Sequence, residues 1–298
     1  MVVTVSLRNM FFDCPRKFFF FYVRRLQRRQ TPHALQWGSL VHRALAVLDN
    51  MGLEGVDLCV AEIRHEIEEG LFAVEDLNQL DSMLRVLPHA IGAYALRYKD
   101  DVYENVELER EFSLTLPSGK HTFRGKIDAV VKRKGEDVLY LKERKTAART
   151  GDAYYERLPR DPQLRGYVAG ARRALELSVQ NVLYDVLKKP QLYRRVGESD
   201  ESYDVRLGEE YLLNKDELCE RRIIPMASMN EDAYFAEMDE VADMIEWCIA
   251  RGAFPEQCAG NRLGRCSYEP LCSQGAEHLY SQRPQEELHP ELEATEGD

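Results

Sequence analysis

No apolar run in the 298-residue chain approaches the ~18 residues of a membrane-spanning helix. The first residues, MVVTVSLRNMFFDC, lack the charged start, apolar middle and small-residue cleavage site of a secretory signal, so a cytoplasmic location is expected. Internal repeats are missing. A net positive charge is also lacking, since 51 acidic residues outnumber 40 Lys and Arg and the formal net charge is −11. Such a balance does not advertise affinity for an anionic polymer, and only a local surface could supply it. The seven cysteines, at 14, 59, 219, 248, 258, 266 and 272, are odd in number, which argues against a disulfide framework. They also lack the paired C-x-x-C spacing of common zinc sites.

What is present suits a folded domain with a sizeable core: 44% hydrophobic and 31% charged residues. Charge is unevenly placed. Arg16, Lys17, Arg24, Arg25, Arg28 and Arg29 fall within 16–30 with no acid among them, whereas 286–298 carries six acids and no base. The basic stretch reads either as a phosphate-tracking surface or as a solvated helix face, and the aromatics Phe18–Tyr22 within it mostly as core. A helix is predicted after Pro15, then helices over 36–50, 56–71 and 76–99, with Cys59 on an apolar face. Beyond residue 102 the pattern turns strand-like. Residues 105–116, 121–133 and 137–146 read as strands, with a turn at Gly135-Glu136-Asp137. Asp161 and Pro162 open a helix to 176, followed by a strand at 180–187 that can pair in parallel through a right-handed crossover. Residues 190–229 read as a polar loop with a short strand or hairpin ending at Ile224-Pro225. Residues 230–251 form an amphipathic helix with Tyr234, Met238, Val241, Met244, Ile245 and Cys248 on one side.

Two constellations carry chemistry. Asp128 lies on the first strand of the hairpin 123–146, while Glu143 and Lys145, two apart on the second, share a face. Two carboxylates beside an ammonium can hold Mg2+ or Mn2+ and position a water, the equipment for phosphodiester hydrolysis. Spacing alone fits a surface hairpin of alternating charge equally well, and His42 on its helix reads alone as an ordinary core or surface residue. The second constellation is Cys258, Cys266 and Cys272 crowded in a loop rich in Gly, Asn and Arg, which has little core of its own and would need a metal to hold it.

Taken in order, GSLVH at 38–42, GKID at 125–128, ERKT at 143–146 and QLRGY at 163–167 resemble the PD-(D/E)XK nuclease superfamily, specifically its RecB-like branch. The resemblance implies an α/β, restriction-endonuclease-like core with a mixed sheet flanked by helices. It implies His42, Asp128 and Glu143 as metal ligands, Lys145 as the catalytic lysine, and Gln163 and Tyr167 as residues that line the site and contact DNA. Glu143 stands where many relatives have Asp, a change that should keep metal binding. Cys14 with Cys258, Cys266 and Cys272 is similar to the split layout of an iron–sulfur subgroup that includes CRISPR-associated adaptation nucleases and the AddB nuclease domain. That implies a 4Fe–4S cluster stapling the two ends of the chain; a zinc site on the same thiolates, or free thiols, are the alternatives.

The expected organisation is a helical portion over 1–100 with the first cluster cysteine, a nuclease core over 101–190, a C-terminal helix and cluster segment over 191–280, and an acidic disordered tail over 281–298. The expected activity is Mg/Mn-dependent DNA hydrolysis, as an exonuclease on single strands or ends. The alternative is a DNA-binding or assembly subunit working through a helicase, recombination or CRISPR-adaptation partner. No helicase motif is present, so unwinding would come from such a partner.

Overall fold

Caps and turns set the order of elements. In a computed structural model, residues 1–29, 33–69, 77–257, 266–284 and 289 are described. The chain begins with β1 (Val2–Val3) and α1 (Val5–Asp13); the Thr4 side chain caps α1 by accepting the Leu7 N–H. Pro15 sits in the first turn of α2 (Pro15–Phe18), which runs into a π-turn at 19–23 and then β2 (Leu26–Arg28). Helices α3 (His33–Met51), α4 (Leu53–Glu68) and α5 (Leu77–Arg97) follow. Next come β3 (Tyr103–Thr115), β4 (Thr122–Arg133) and β5 (Leu139–Ala147). Gly135, at φ +79°, makes the turn between β4 and β5. The short α6 (Asp152–Glu156) precedes α7 (Pro162–Ala174), whose first N–H groups are taken by the Asp161 side chain. The rest is β6 (Val179–Lys188), α8 (Asp200–Leu213), α9 (Lys215–Leu218), β7 (Cys219–Pro225), α10 (Glu231–Arg251), α11 (Glu269–Gln274) and β8 (Tyr280–Gln282).

The main sheet runs β1-β4-β5-β6-β7, with β3 on the other side of β4. It is mixed: β1 is parallel to β4, β5 is parallel to β6, and β3–β4, β4–β5 and β6–β7 are antiparallel. The parallel pair is joined through α7, as the strand–helix–strand pattern requires. β6 is buried on both faces. Val182, Tyr184 and Val186 pack with residues of α1, α7 and α10, while Leu187 packs with α3, α5 and α8. The result is a three-layer α/β fold, the expected mixed sheet between helices.

Three expectations are corrected. Residues 200–213 form α8 rather than loop, held by the Ser199 cap and by Asp204, Leu207 and Tyr211, which are buried. Met244 is 47% exposed and does not join the buried side of α10. Order also persists past residue 281: β8 pairs antiparallel with β2, and buried Arg283 donates from Nη2 to the Phe21 carbonyl at 2.6 Å. The remainder of the expected tail, apart from His289, lies outside the described residues, as does Cys258.

Candidate active site

The pairing of β4 with β5 ends early. It runs from Lys132 opposite Leu139 to Ala129 opposite Lys142, and there the strands part. β5 continues beside β6, and the far end of β4 pairs with β1 at Thr122 and Phe123. Asp128 and Glu143 are thus the first residues inside a fork in the sheet. On the outer side, Glu109 of β3 stands between the pairs Leu108–Ala129 and Arg110–Ile127, hence opposite Asp128. Its φ of +48° is uncommon for a residue with a side chain and marks a local irregularity beside the fork.

Several polar contacts meet here. The Arg144 N–H donates to Asp128 Oδ2 at 3.4 Å, so a side chain replaces the missing ladder bond. α3 lays His42 over the fork with Nδ1 at 3.8 Å from the same oxygen. Asp49, two helical turns further along that face of α3, forms ion pairs with Arg144 and, at 3.9 Å, with Lys142 on β5. Glu143 is almost fully buried, and Lys145 Nζ forms an ion pair with its Oε1. Apart from that pair neither carboxylate oxygen of Glu143 has a hydrogen-bond partner among the described residues. Gln163 Nε2 donates to the Tyr167 hydroxyl at 3.2 Å, placing both motif residues of α7 together.

The electrostatics follow from burial. Burial pushes the Glu143 carboxyl up to about 7; Lys145 pulls the other way and Asp128 adds to the rise. Burial also lowers His42, with Asp128 opposing and Lys145 and Arg144 assisting. For Lys145 burial is outweighed by Glu143 and Asp128, and the net shift is upward. Lys145 therefore stays an ammonium, a donor rather than a proton acceptor. Burial and the nearby Glu143 raise Tyr167, leaving a neutral phenol able to donate.

His42, Asp128 and Glu143 do not bring three ligand atoms within 4.8 Å of one another, because Glu143 turns to Lys145. The donor set still suits a hard divalent cation: two carboxylates and one imidazole, with lone pairs of Glu143 buried and unused. The trio that does close within 4.8 Å among the described residues is His121, Asp243 and Glu246. Its His121 lies seven residues before Asp128, just ahead of β4, about 23 Å away along an extended chain. There the buried His121 contacts the Met1 amine and Asp243 at 3.0 Å each.

Sequence reading missed Arg144 and Asp49. Their signal was present: Asp49 follows His42 by seven residues, which places both on one helix face. The basic stretch proved to be a brace. Arg24 pairs with Glu277 at 2.8 Å, Arg16 Nε donates to the Phe254 carbonyl at 2.9 Å, and Arg29 Nε to that of His278 at 3.1 Å. Phe18, Phe20 and Tyr22 are core. Cys59, Cys219 and Cys248 are buried. Cys14 Sγ accepts the Gln257 N–H at 3.4 Å, beside the Cys258 position. Cys266 and Cys272 pack with Phe20, Tyr268 and Leu271.

No curated protein matches the chain. The model of the PD-(D/E)XK nuclease superfamily matches residues 3–273, nearly the whole chain, and so spans both the forked sheet and the helices around it. The chain belongs to the PD-(D/E)XK nuclease superfamily, a family of metal-dependent nucleases whose substrate is DNA.

Proposed function

We propose that this chain is a Mg2+- or Mn2+-dependent deoxyribonuclease of the RecB-like branch, acting as an exonuclease on single strands or DNA ends. One observation carries the reading: at the fork, the buried Glu143 carboxylate has no partner except Lys145, while Asp128 and His42 converge from the other strand and α3. Asp128, Glu143 and His42 would hold the cation. Bound there, it would neutralise charge at the scissile phosphate and lower the pKa of a water. Lys145, kept protonated by Glu143, orients that water and offsets charge building on the phosphate oxygens. Gln163 and Tyr167 present donors from α7 to the adjoining strand backbone.

The same proposal gives Cys14, Cys258, Cys266 and Cys272 to a 4Fe–4S cluster. One observation supports it: Cys14 lies against residue 257, and Cys266 and Cys272 share one small apolar cluster. The cluster would be a staple and take no part in hydrolysis.

The test is anaerobic purification, an absorption spectrum, and an assay on end-labelled single-stranded DNA with Mn2+, alongside Lys145→Ala. A brown protein that degrades DNA only with Lys145 present supports both parts. A brown protein inactive on every DNA form overturns the nuclease assignment and favours an assembly role with a helicase or DNA-integration partner. A colourless active protein overturns the cluster alone.

A further inference from the structure

The C-terminal ends of the parallel strands β5 and β6 lead to a cavity of about 500 Å3 that the proposed chemistry leaves unused. Trp37, Ser82, Lys189, Arg194, Tyr203 and Tyr211 are among its walls. Trp37 Nε1 and the Tyr211 hydroxyl are buried polar atoms with no hydrogen-bond partner among the described residues, and the two residues are 8% and 1% exposed. A buried donor without an acceptor is unfavourable. Two beside one cavity mark a place where a ligand bearing acceptors fits.

The cavity adjoins the fork. Thr146 follows Lys145 and lies 3.6 Å from where a Cβ on Gly38, next to Trp37, would sit. The Lys189 N–H donates to the Ala147 carbonyl at 2.8 Å. Lys145 is in register with Val186, so Lys189 stands three residues, or about 10 Å, beyond it. The rim is the segment KKPQLYRR at 188–195. Tyr193 is 84% exposed there. Lys189 and Arg195 are exposed and form no ion pair among the described residues. An unburied ring between exposed cations fits a strand whose bases are unpaired, since every base offers a face to stack on and every phosphate a charge. A duplex hides the base faces and the Watson–Crick edges.

Building on the nuclease assignment, we propose that this cavity and its rim receive single-stranded DNA next to the bond being cut. Tyr193 stacks on one base and Lys189 and Arg195 meet the phosphates. A second base enters the cavity, where its ring nitrogens and carbonyls accept from Trp37 Nε1 and the Tyr211 hydroxyl.

The chain has two tryptophans. Trp247 is 58% exposed under Arg251 and lies outside both sites. In the full-length Lys145→Ala, Trp247→Phe protein, Trp37 alone reports by fluorescence while anisotropy of labelled DNA reports binding. Titration with a short thymidine oligonucleotide is expected to change Trp37 emission in step with anisotropy. A blunt duplex of equal length should leave it unchanged. Adding Tyr193→Ala is expected to weaken oligonucleotide binding about tenfold, and Lys189→Gln to lower the salt slope by about one. The inference is overturned if the oligonucleotide binds without altering Trp37, if the duplex alters it equally, or if thymidine monophosphate alone saturates the signal. Binding of no DNA in any form overturns the nuclease assignment itself, and the inference with it.

Discussion

Two acid–histidine clusters are set along strand β4, one just ahead of its first residue and one at its middle, and they are built in opposite ways. At its start, His121 is enclosed by the Met1 amine, Asp243 and Glu246, and both of its ring nitrogens have a partner. At the fork, Asp128 receives one long backbone contact and Glu143 a single ammonium. The first cluster has the better geometry for binding a cation and the least need of one. The second is the poorer cage and is left with unmet lone pairs, with burial pushing Glu143 up to about 7. Closeness of ligands marks a finished network; deficit marks a working site.

The sharpest way to break that contrast is Lys145→Ala, expected to lower kcat about 100- to 1000-fold on DNA. Asp49→Ala follows: it strands the buried Arg144 guanidinium and should cost about 3 kcal/mol in denaturant unfolding. Saturating Mg2+ or Mn2+ comes next. At 100 times its Kd, a cation should stabilise the parent by about 2.7 kcal/mol, measured as a rise in Tm, and Asp128→Asn or Glu143→Gln should abolish the rise. If His121→Ala abolished it instead, the assignment of the two clusters would be reversed. The smallest effect belongs to His121→Ala itself, expected to cost about 1–2 kcal/mol of stability with unchanged nuclease activity.

The hairpin was legible because alternation and turn residues act over a few positions: Asp128, Glu143 and Lys145 fall on the strands where 121–133 and 137–146 were read. His42 came from an ordered set of motifs, since nothing in the helical period separates it from an ordinary residue. α8 escaped because Val205, Leu212 and Leu213 face solvent and blur the stripe that Tyr203, Leu207 and Tyr211 turn inward. The Ser199 cap and the acidic first turn were the usable signals. The duty of the N-terminal arginines could not be read, because Glu277 and the carbonyls they hold lie at the other end of the sequence.

The β2–β8 ribbon has a kinetic consequence. It joins Leu26 to Gln282 across nearly the whole chain, with three residues on each side. So short a ribbon is marginal by itself, and so distant a pairing closes slowly. It is therefore expected to form after the sheet and to open before it, with the amides of Arg28 and Gln282 exchanging hydrogen faster than those of β5. Folding of the body and latching of the ends become separable steps. Between them the segments bearing Cys14, Cys266 and Cys272 are reachable from solvent while the forked sheet stands complete.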